Sequence, residues 1–298
     1  MGCCGSKTED KTSAKVQALF ANGLTGAPGV ERAASCGCPG YISCGMQCYD
    51  KHSVVRVLDD TDARFAETVD VIARSLCGTA TAAPDPVNDW VYAARTEKFG
   101  EPLPEAPTEL RSAWFVWFTK FCMYWGLERG GVYALVDKGT GKVLGGAVTG
   151  PPNTTAMSEM GMCEYFRIGG KAGMSPPPND SDGKLVKGRL AALDKVMKTA
   201  HKKVVGDKPH LYVLLFASDP EMQGKGCGAA LLKFICELAD ADSVDTYLET
   251  GGKRNVGFYT KKGGFEVSER MPIVHDALTF DHSGGVCAML RKPNTLAP

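Results

Sequence analysis

The chain has 298 residues, 44% of them hydrophobic and 23% charged, the make-up of an ordinary globular protein with one large domain or two small ones. Its 34 basic residues are balanced by 34 acidic ones, so it lacks the basic excess by which a nucleic-acid binder neutralises phosphates. No uncharged apolar run reaches the ~18 residues a spanning helix needs; the nearest, Ala113 to Leu127, is too short and holds Lys120.

The first residues, Met1-Gly2-Cys3-Cys4-Gly5-Ser6-Lys7, fit M-G-x-x-x-[ST], the pattern for N-myristoylation of Gly2 once Met1 is removed. Cys3 and Cys4 then stand where a palmitoyl chain would be added. One acyl chain holds a protein on a membrane only marginally, and a second makes the attachment stable. The pattern predicts a protein held peripherally on the cytoplasmic face of a membrane. Residues 7–15 are polar and offer no apolar segment of a secretory signal, so the 12 cysteines are expected to be reduced thiols. Small and polar residues dominate 8–52, which predicts a poorly ordered, cysteine-rich tail over residues 1–52. Cys36, Cys38, Cys44 and Cys48 lie there with spacings unlike the usual zinc pairs. Free thiols or further acylation sites are the expected reading, and whether these four cysteines bind a metal stays open.

Val54 to Leu58 reads as a strand. Asp59, Asp60, Thr61 and Asp62 form an N-cap cluster for a helix whose apolar face is Phe65, Val69, Ile72 and Leu76. Thr79 to Pro107 carries five prolines and reads as an irregular connection. Glu109 to Leu127 reads as a helix with Trp114, Phe118, Phe121 and Trp125 along one face, either core or the wall of an apolar pocket. Gly131–Val136 and Lys142–Val148 make a hairpin. Pro151 to Gly183 reads as loop. Leu185 to Val204 is a helix with Lys195, Lys198, Lys202 and Lys203 near the negative end of its dipole.

Leu211 to Ala217 is a nearly continuous apolar run, the pattern of a strand buried on both faces. Asp219-Pro220 ends it, because proline cannot donate to a ladder. Gln223-Gly224-Lys225-Gly226-Cys227-Gly228 leads into a helix from Ala229 to about Ala241, with Leu231, Ile235 and Leu238 at helical spacing. A strand, a glycine turn and a helix N-terminus together present free N–H groups and a positive dipole end to an anion. The spacing G-x-G-x-G is not the dinucleotide fingerprint G-x-G-x-x-G, and Lys225 is followed by Gly226 rather than by the Ser or Thr of a Walker loop. Val244–Leu248 reads as a strand. Lys253–Lys262 reads as a helix closed by Gly263 at its C-cap, and Gly264–Ser268 and Val286–Arg291 as the last strands.

The sequence Q-G-x-G-x-G/A after a strand ending in D-P resembles the acetyl-CoA signature of the GCN5-related N-acetyltransferase (GNAT) family. Tyr247-Leu248-Glu249-Thr250, Arg254-Asn255-Val256, Phe258-Tyr259 and Gly264-Phe265-Glu266-Val267 continue the likeness, in a combination similar to puromycin N-acetyltransferase and its relatives. The likeness is specific over 209–268, faint over 53–150 and absent before 52. It implies an α/β fold: a central mixed, twisted sheet with two splayed parallel strands, flanked by helices. Residues 53–298 would form this single domain, with 151–209 an acceptor-side insertion and helix and 209–268 the acetyl-CoA-binding core.

The resemblance also implies roles. The backbone of Phe216, Ala217 and Ser218 would pair with the pantetheine arm of acetyl-CoA. The backbone of Gln223, Gly224, Lys225, Gly226, Cys227, Gly228 and Ala229 would hold the pyrophosphate, with Lys225 adding charge and Cys227 filling space. Asn255 would reach the pantetheine, and Tyr259 would sit by the sulfur as general acid. Four residues apart, those two share a helical face, and a tyrosine pKa of about 10 lies above a thiol's 8.5 or so. The base is open: Glu249, acting directly or through water, with His210 a second candidate; Glu249 could equally serve as a hydrogen-bonding or capping residue. The expected activity is transfer of acetyl from acetyl-CoA to a primary amine of a small molecule, by direct attack in a ternary complex. The alternatives are a protein lysine or N-terminal acetyltransferase and a membrane-tethered, non-catalytic CoA-binding or interaction module.

Overall fold

The computed structural model describes residues 31–33, 51–92, 103, 106–154, 156–176, 183–275, 278–280 and 285–295. Gly2, Cys3, Cys4 and the group Cys36, Cys38, Cys44 and Cys48 lie outside the described residues, as do most of the other positions of the predicted tail. Within that tail, β1 (Glu31–Ala33) pairs with β2 (His52–Arg56).

Eight strands make one sheet in the order β1, β2, β3 (Val132–Asp137), β4 (Val143–Gly150), β5 (His210–Ser218), β6 (Asp245–Thr250), β10 (Val286–Arg291), β7 (Glu266–Met271). β8 (Ile273–His275) and β9 (Leu278–Phe280) pair separately. Among the described residues only β5 and β6 run parallel. This is the mixed, helix-flanked sheet that the resemblance implies.

The helices are α1 (Ala63–Cys77), α2 (Pro86–Tyr92), α3 (Glu109–Leu127), α4 (Met162–Ala172), α5 (Gly183–Val204), α6 (Cys227–Asp242) and α7 (Lys253–Gly263). One face of the sheet packs on α1, α3 and α5 through Tyr212, Leu215, Ala217 and Tyr247. The other packs on α6 and α7 through Leu211, Val213 and Leu248. Successive strand residues point to opposite faces, which is why a strand buried on both sides reads as a continuous apolar run.

That alternation breaks once in β5. Val213 lies opposite Thr149 and Leu215 opposite Val148, so Leu214 has no partner in β4. A bulge of this kind bends and twists its strand. After it, Leu214 and Leu215 both join the α3 and α5 side, and Phe216 turns toward α6. The pairing with β6 ends at the same place, at Val213 opposite Leu248, while β5 stays paired with β4 as far as Ser218. The two parallel strands therefore splay.

Several local expectations need correcting. Thr79 to Pro107 is not wholly irregular, because it contains α2. Asp85 caps that helix, accepting from Val87 N at 3.1 Å and Asn88 N at 3.0 Å, and Pro86 fills the first helical position, where no N–H is needed. The predicted loop 151–183 contains α4, bounded by Gly161 and by Gly173 at φ +109°. α6 starts at Cys227, two residues earlier than expected. The C-cap of α7 is Gly264, at φ +69°, rather than Gly263. Among the described residues no helix is long and apolar enough to cross a membrane.

Candidate active site

Where β5 and β6 part, they open a cleft of about 1350 Å³. Phe216, Ala217 and Ser218 line it from β5. Their β4 edge is paired and no register partner from β6 faces the other edge, so that edge can receive an extended ligand as a sheet receives a strand.

The glycine loop closes one end. Gly224 and Gly226 adopt φ +79° and +87°, the left-handed region that side chains disfavour. Gly226 is the N-cap of α6 and supplies no side chain to its first turn. The first N–H groups of a helix have no acceptor within it, and here they lie beside the cleft. Gln223, Gly224, Gly226, Gly228 and Ala229 all line it. Lys225 and Cys227 do not. The Lys225 side chain lies near Met222, Nζ to Sδ 3.6 Å, and Cys227 is buried in the core. Arg254, at the start of α7, donates to Gln223 Oε1 at 2.6 Å and ties the loop to the opposite wall.

Two groups that can move protons line the cleft from opposite faces of the sheet. Tyr259 lies on the α6 and α7 side, its ring 5.9 Å from that of Phe216 and 5.8 Å from that of Phe265. It is buried, yet it lines the cleft. Burial holds its hydroxyl well above the usual phenol range, and the charge of Asp85 adds to this. Glu249 lines the cleft from the other face, two residues beyond Tyr247 on β6 and so on the same side as it. Burial pushes its carboxyl up to about 7. The hydroxyls of Tyr212 and Tyr247 pull the other way, although that of Tyr247 falls short of a regular hydrogen bond.

Asn255 also lines the cleft, one helical turn before Tyr259, and its amide donates to Asp85 at 3.2 Å. Asp85 is a cleft residue that sequence reasoning missed, as are Met157 and Asp194. His210 is not part of the lining: its Nδ1 donates to the Lys208 carbonyl at 2.7 Å, leaving Nε2 to accept from His201 at 2.9 Å. The far wall is apolar. Phe118, Met157, Leu190, Leu193 and Met197 line it, the last three on one face of α5 with Asp194. Phe118 alone of the predicted aromatic stripe reaches the cleft; Trp114, Phe121 and Trp125 are core.

A family profile described as "Acetyltransferase (GNAT) family" matches residues 90–265, more than half of the chain. The protein is a GNAT acetyltransferase. It is thus an acyltransferase, and the family implies an acyl-CoA cosubstrate. No curated protein sequence matches this GNAT chain significantly. Solved structures do. The C-terminal condensation domain of Ebony in complex with beta-alanyl-dopamine is 10% identical over 81% of this chain and 99% of that one, with a TM-score of 0.51. Arylalkylamine N-acetyltransferase 2 from Aedes aegypti is 15% identical over 82% and 99%, with a TM-score of 0.47. A histone acetyltransferase HPA2 and related acetyltransferase from Corynebacterium glutamicum is 18% identical over 83% and 99%, with a TM-score of 0.45. At these identities the likeness is one of fold.

Proposed function

We propose that this GNAT enzyme transfers the acetyl group of acetyl-CoA to a primary amine of a small molecule. The observation that carries the reading is the pairing of Glu249 and Tyr259 on opposite faces of one splayed cleft that also exposes a free strand edge and a helix N-terminus. The residues fit the cosubstrate. The strand edge suits an amide-bearing pantetheine arm, and the glycine loop leaves room for a pyrophosphate, with no atom within 4 Å of where a Gly224 side chain would start.

Acetyl-CoA supplies the acyl group on a thioester sulfur, and the reaction exchanges the C–S bond for a C–N bond. An amine is protonated at neutral pH and must lose a proton before it attacks. Glu249, with its pKa pushed up to about 7, is matched to accept one. The departing sulfur needs a proton, and the Tyr259 hydroxyl is held protonated by burial to provide it. The apolar wall from Phe118 to Met197 favours an amine on a hydrophobic body, with Asp194 as the one carboxylate on that face of α5. The motif likeness over Tyr247–Val267 to puromycin N-acetyltransferase also favours a small acceptor over a protein.

The Met1 to Lys7 pattern supports myristoylation of Gly2 and palmitoylation of Cys3 or Cys4, which would hold the enzyme on a cytoplasmic membrane face. The test of the reaction is release of free CoA from acetyl-CoA across a panel of arylalkylamines, alkylamines, diamines, lysine peptides and peptide N-termini. Turnover confined to small amines is the expected result. Turnover confined to peptides would contradict the acceptor class, and release with none of them would contradict the activity.

A further inference from the structure

Helix α4 carries more apolar surface than the fold covers. Ile168, Gly169 and Ala172 are buried, and Tyr165 packs on Phe121 of α3 with ring centroids 5.3 Å apart. Met162 and Phe166, four residues apart and so on one face, are 74% and 58% exposed. Met174, just past the Gly173 C-cap, is 63% exposed, and Tyr165 is 44%. Four of the seven large exposed hydrophobic residues among the described residues thus fall between 162 and 174. Clustering of that kind marks an interaction surface, whereas scattered single residues do not.

The polar border of this face is cationic. Arg129 pairs with Glu164 at 2.6 Å, and Arg167 and Lys171 both pair with Glu128. Arg167 and Lys171 are 52% and 48% exposed while Glu128 and Glu164 are 17% and 24%, so the charge that α4 turns outward is mainly basic; Arg129, at 12%, is not part of it. Apolar and aromatic side chains flanked by Arg and Lys are the composition of a helix that lies in a bilayer interface. The chain's own start points to the same partner, because the Met1 to Lys7 pattern predicts lipid attachment.

We propose that α4 is a membrane-docking face. Met162, Phe166 and Met174 enter the headgroup boundary of an anionic bilayer, and Arg167 and Lys171 meet its phosphates. The helix acts as a second attachment beside the N-terminal acyl chains and fixes how the domain lies on the surface. It also follows directly on the turn Met157–Glu159, and Met157 lines the cleft. Docking therefore brings the apolar wall of the cleft toward the lipid, where a hydrophobic amine would partition; this last point rests on the acceptor class proposed above, and the docking does not.

The full chain made in bacteria, without N-myristoyltransferase, isolates the contribution of α4. It is sedimented with vesicles of phosphatidylcholine alone and of phosphatidylcholine mixed with phosphatidylserine. Wild type is expected to pellet with the mixed vesicles and much less with phosphatidylcholine alone. A Met162→Glu, Phe166→Glu double variant should bind at least about tenfold less, since lost apolar burial and added charge both oppose interfacial binding. An unchanged thermal melt shows that the variant is folded. A Phe166→Trp variant should shift its emission to the blue on adding mixed vesicles. Absence of wild-type binding, or equal binding by the double variant, would overturn the proposal. So would a concentration-dependent dimer in sedimentation that Phe166→Glu dissolves, because the face would then be a contact between copies.

Discussion

Asn255 on α7 donates its side-chain amide to Asp85 at 3.2 Å, across 170 positions of sequence. The same carboxylate caps α2 through Val87 and Asn88, and its charge is felt at Tyr259. α2 comes this close because Gly251, in the turn between β6 and α7, has no side chain: a Cβ there would meet Val87 at 2.6 Å. One residue thus joins the helix cap, the cleft wall and the proposed acid.

Asp85→Ala should lower stability by about 1–2 kcal/mol, the usual cost of losing a cap. Asp85→Asn keeps an oxygen for the cap while removing the charge. It should melt close to wild type and let Tyr259 ionise at lower pH, read by ultraviolet titration of tyrosinate. Equal destabilisation by both variants would show that the charge, not the cap, matters to folding.

With Glu249 as the proposed base, activity would require the ionised carboxylate. Turnover in saturating substrates should fall by about tenfold per pH unit below about 7, as the carboxyl takes up its proton. Glu249→Gln should remove that slope and lower kcat by roughly 10²-fold or more. Stability follows the opposite sign. The folded pKa is raised above the unfolded one, so Glu249 contributes stability at low pH that is lost as pH rises through about 7. The variant's melting temperature should depend on pH less than that of wild type over this window. A rate profile that stays flat from pH 5 to 8 in wild type would exclude Glu249 as the base, the pH values being rough limits around its pKa.

Much of this site was legible because its residues are local in sequence. The strand, glycine turn and helix N-terminus follow one another without a break from Leu211 to Ala229, and Asn255 and Tyr259 sit on one short helix. Asp85 was not legible. It lies in a stretch whose five prolines read as irregular, and only the tertiary approach of α2 to Gly251 brings it to Tyr259. Helix α4 was hidden for a related reason: its two adjacent glycines and flanking Gly161 and Gly173 lower helix propensity, and its packing on α3 outweighs them. The Leu214 bulge is invisible in a uniformly apolar run, since every register of such a run reads alike.

Gly226→Asp should abolish acetyl-CoA binding in calorimetry. Aspartate at φ +87° is strained, and its charge would face the pyrophosphate at the N-terminus of α6. Retained affinity in a folded variant would place the cosubstrate elsewhere.

Gly2→Ala, in a eukaryotic cell, should move the protein from the membrane to the soluble fraction if Gly2 carries myristate. Intact mass should show the wild type heavier by its acyl groups. A wild-type mass without lipid would remove the anchor.

The most direct measurement is the comparison of Tyr259→Phe with wild type, following CoA release with one accepted amine and acetyl-CoA affinity by calorimetry. Tyr259 lines the cleft from a cluster of rings that phenylalanine can keep. Loss of the hydroxyl alone should therefore lower kcat by roughly 10²- to 10⁴-fold while the acetyl-CoA dissociation constant stays nearly the same. Turnover at the wild-type rate would contradict Tyr259 as the proton donor, and loss of acetyl-CoA binding together with the fold would show that the residue only packs the core.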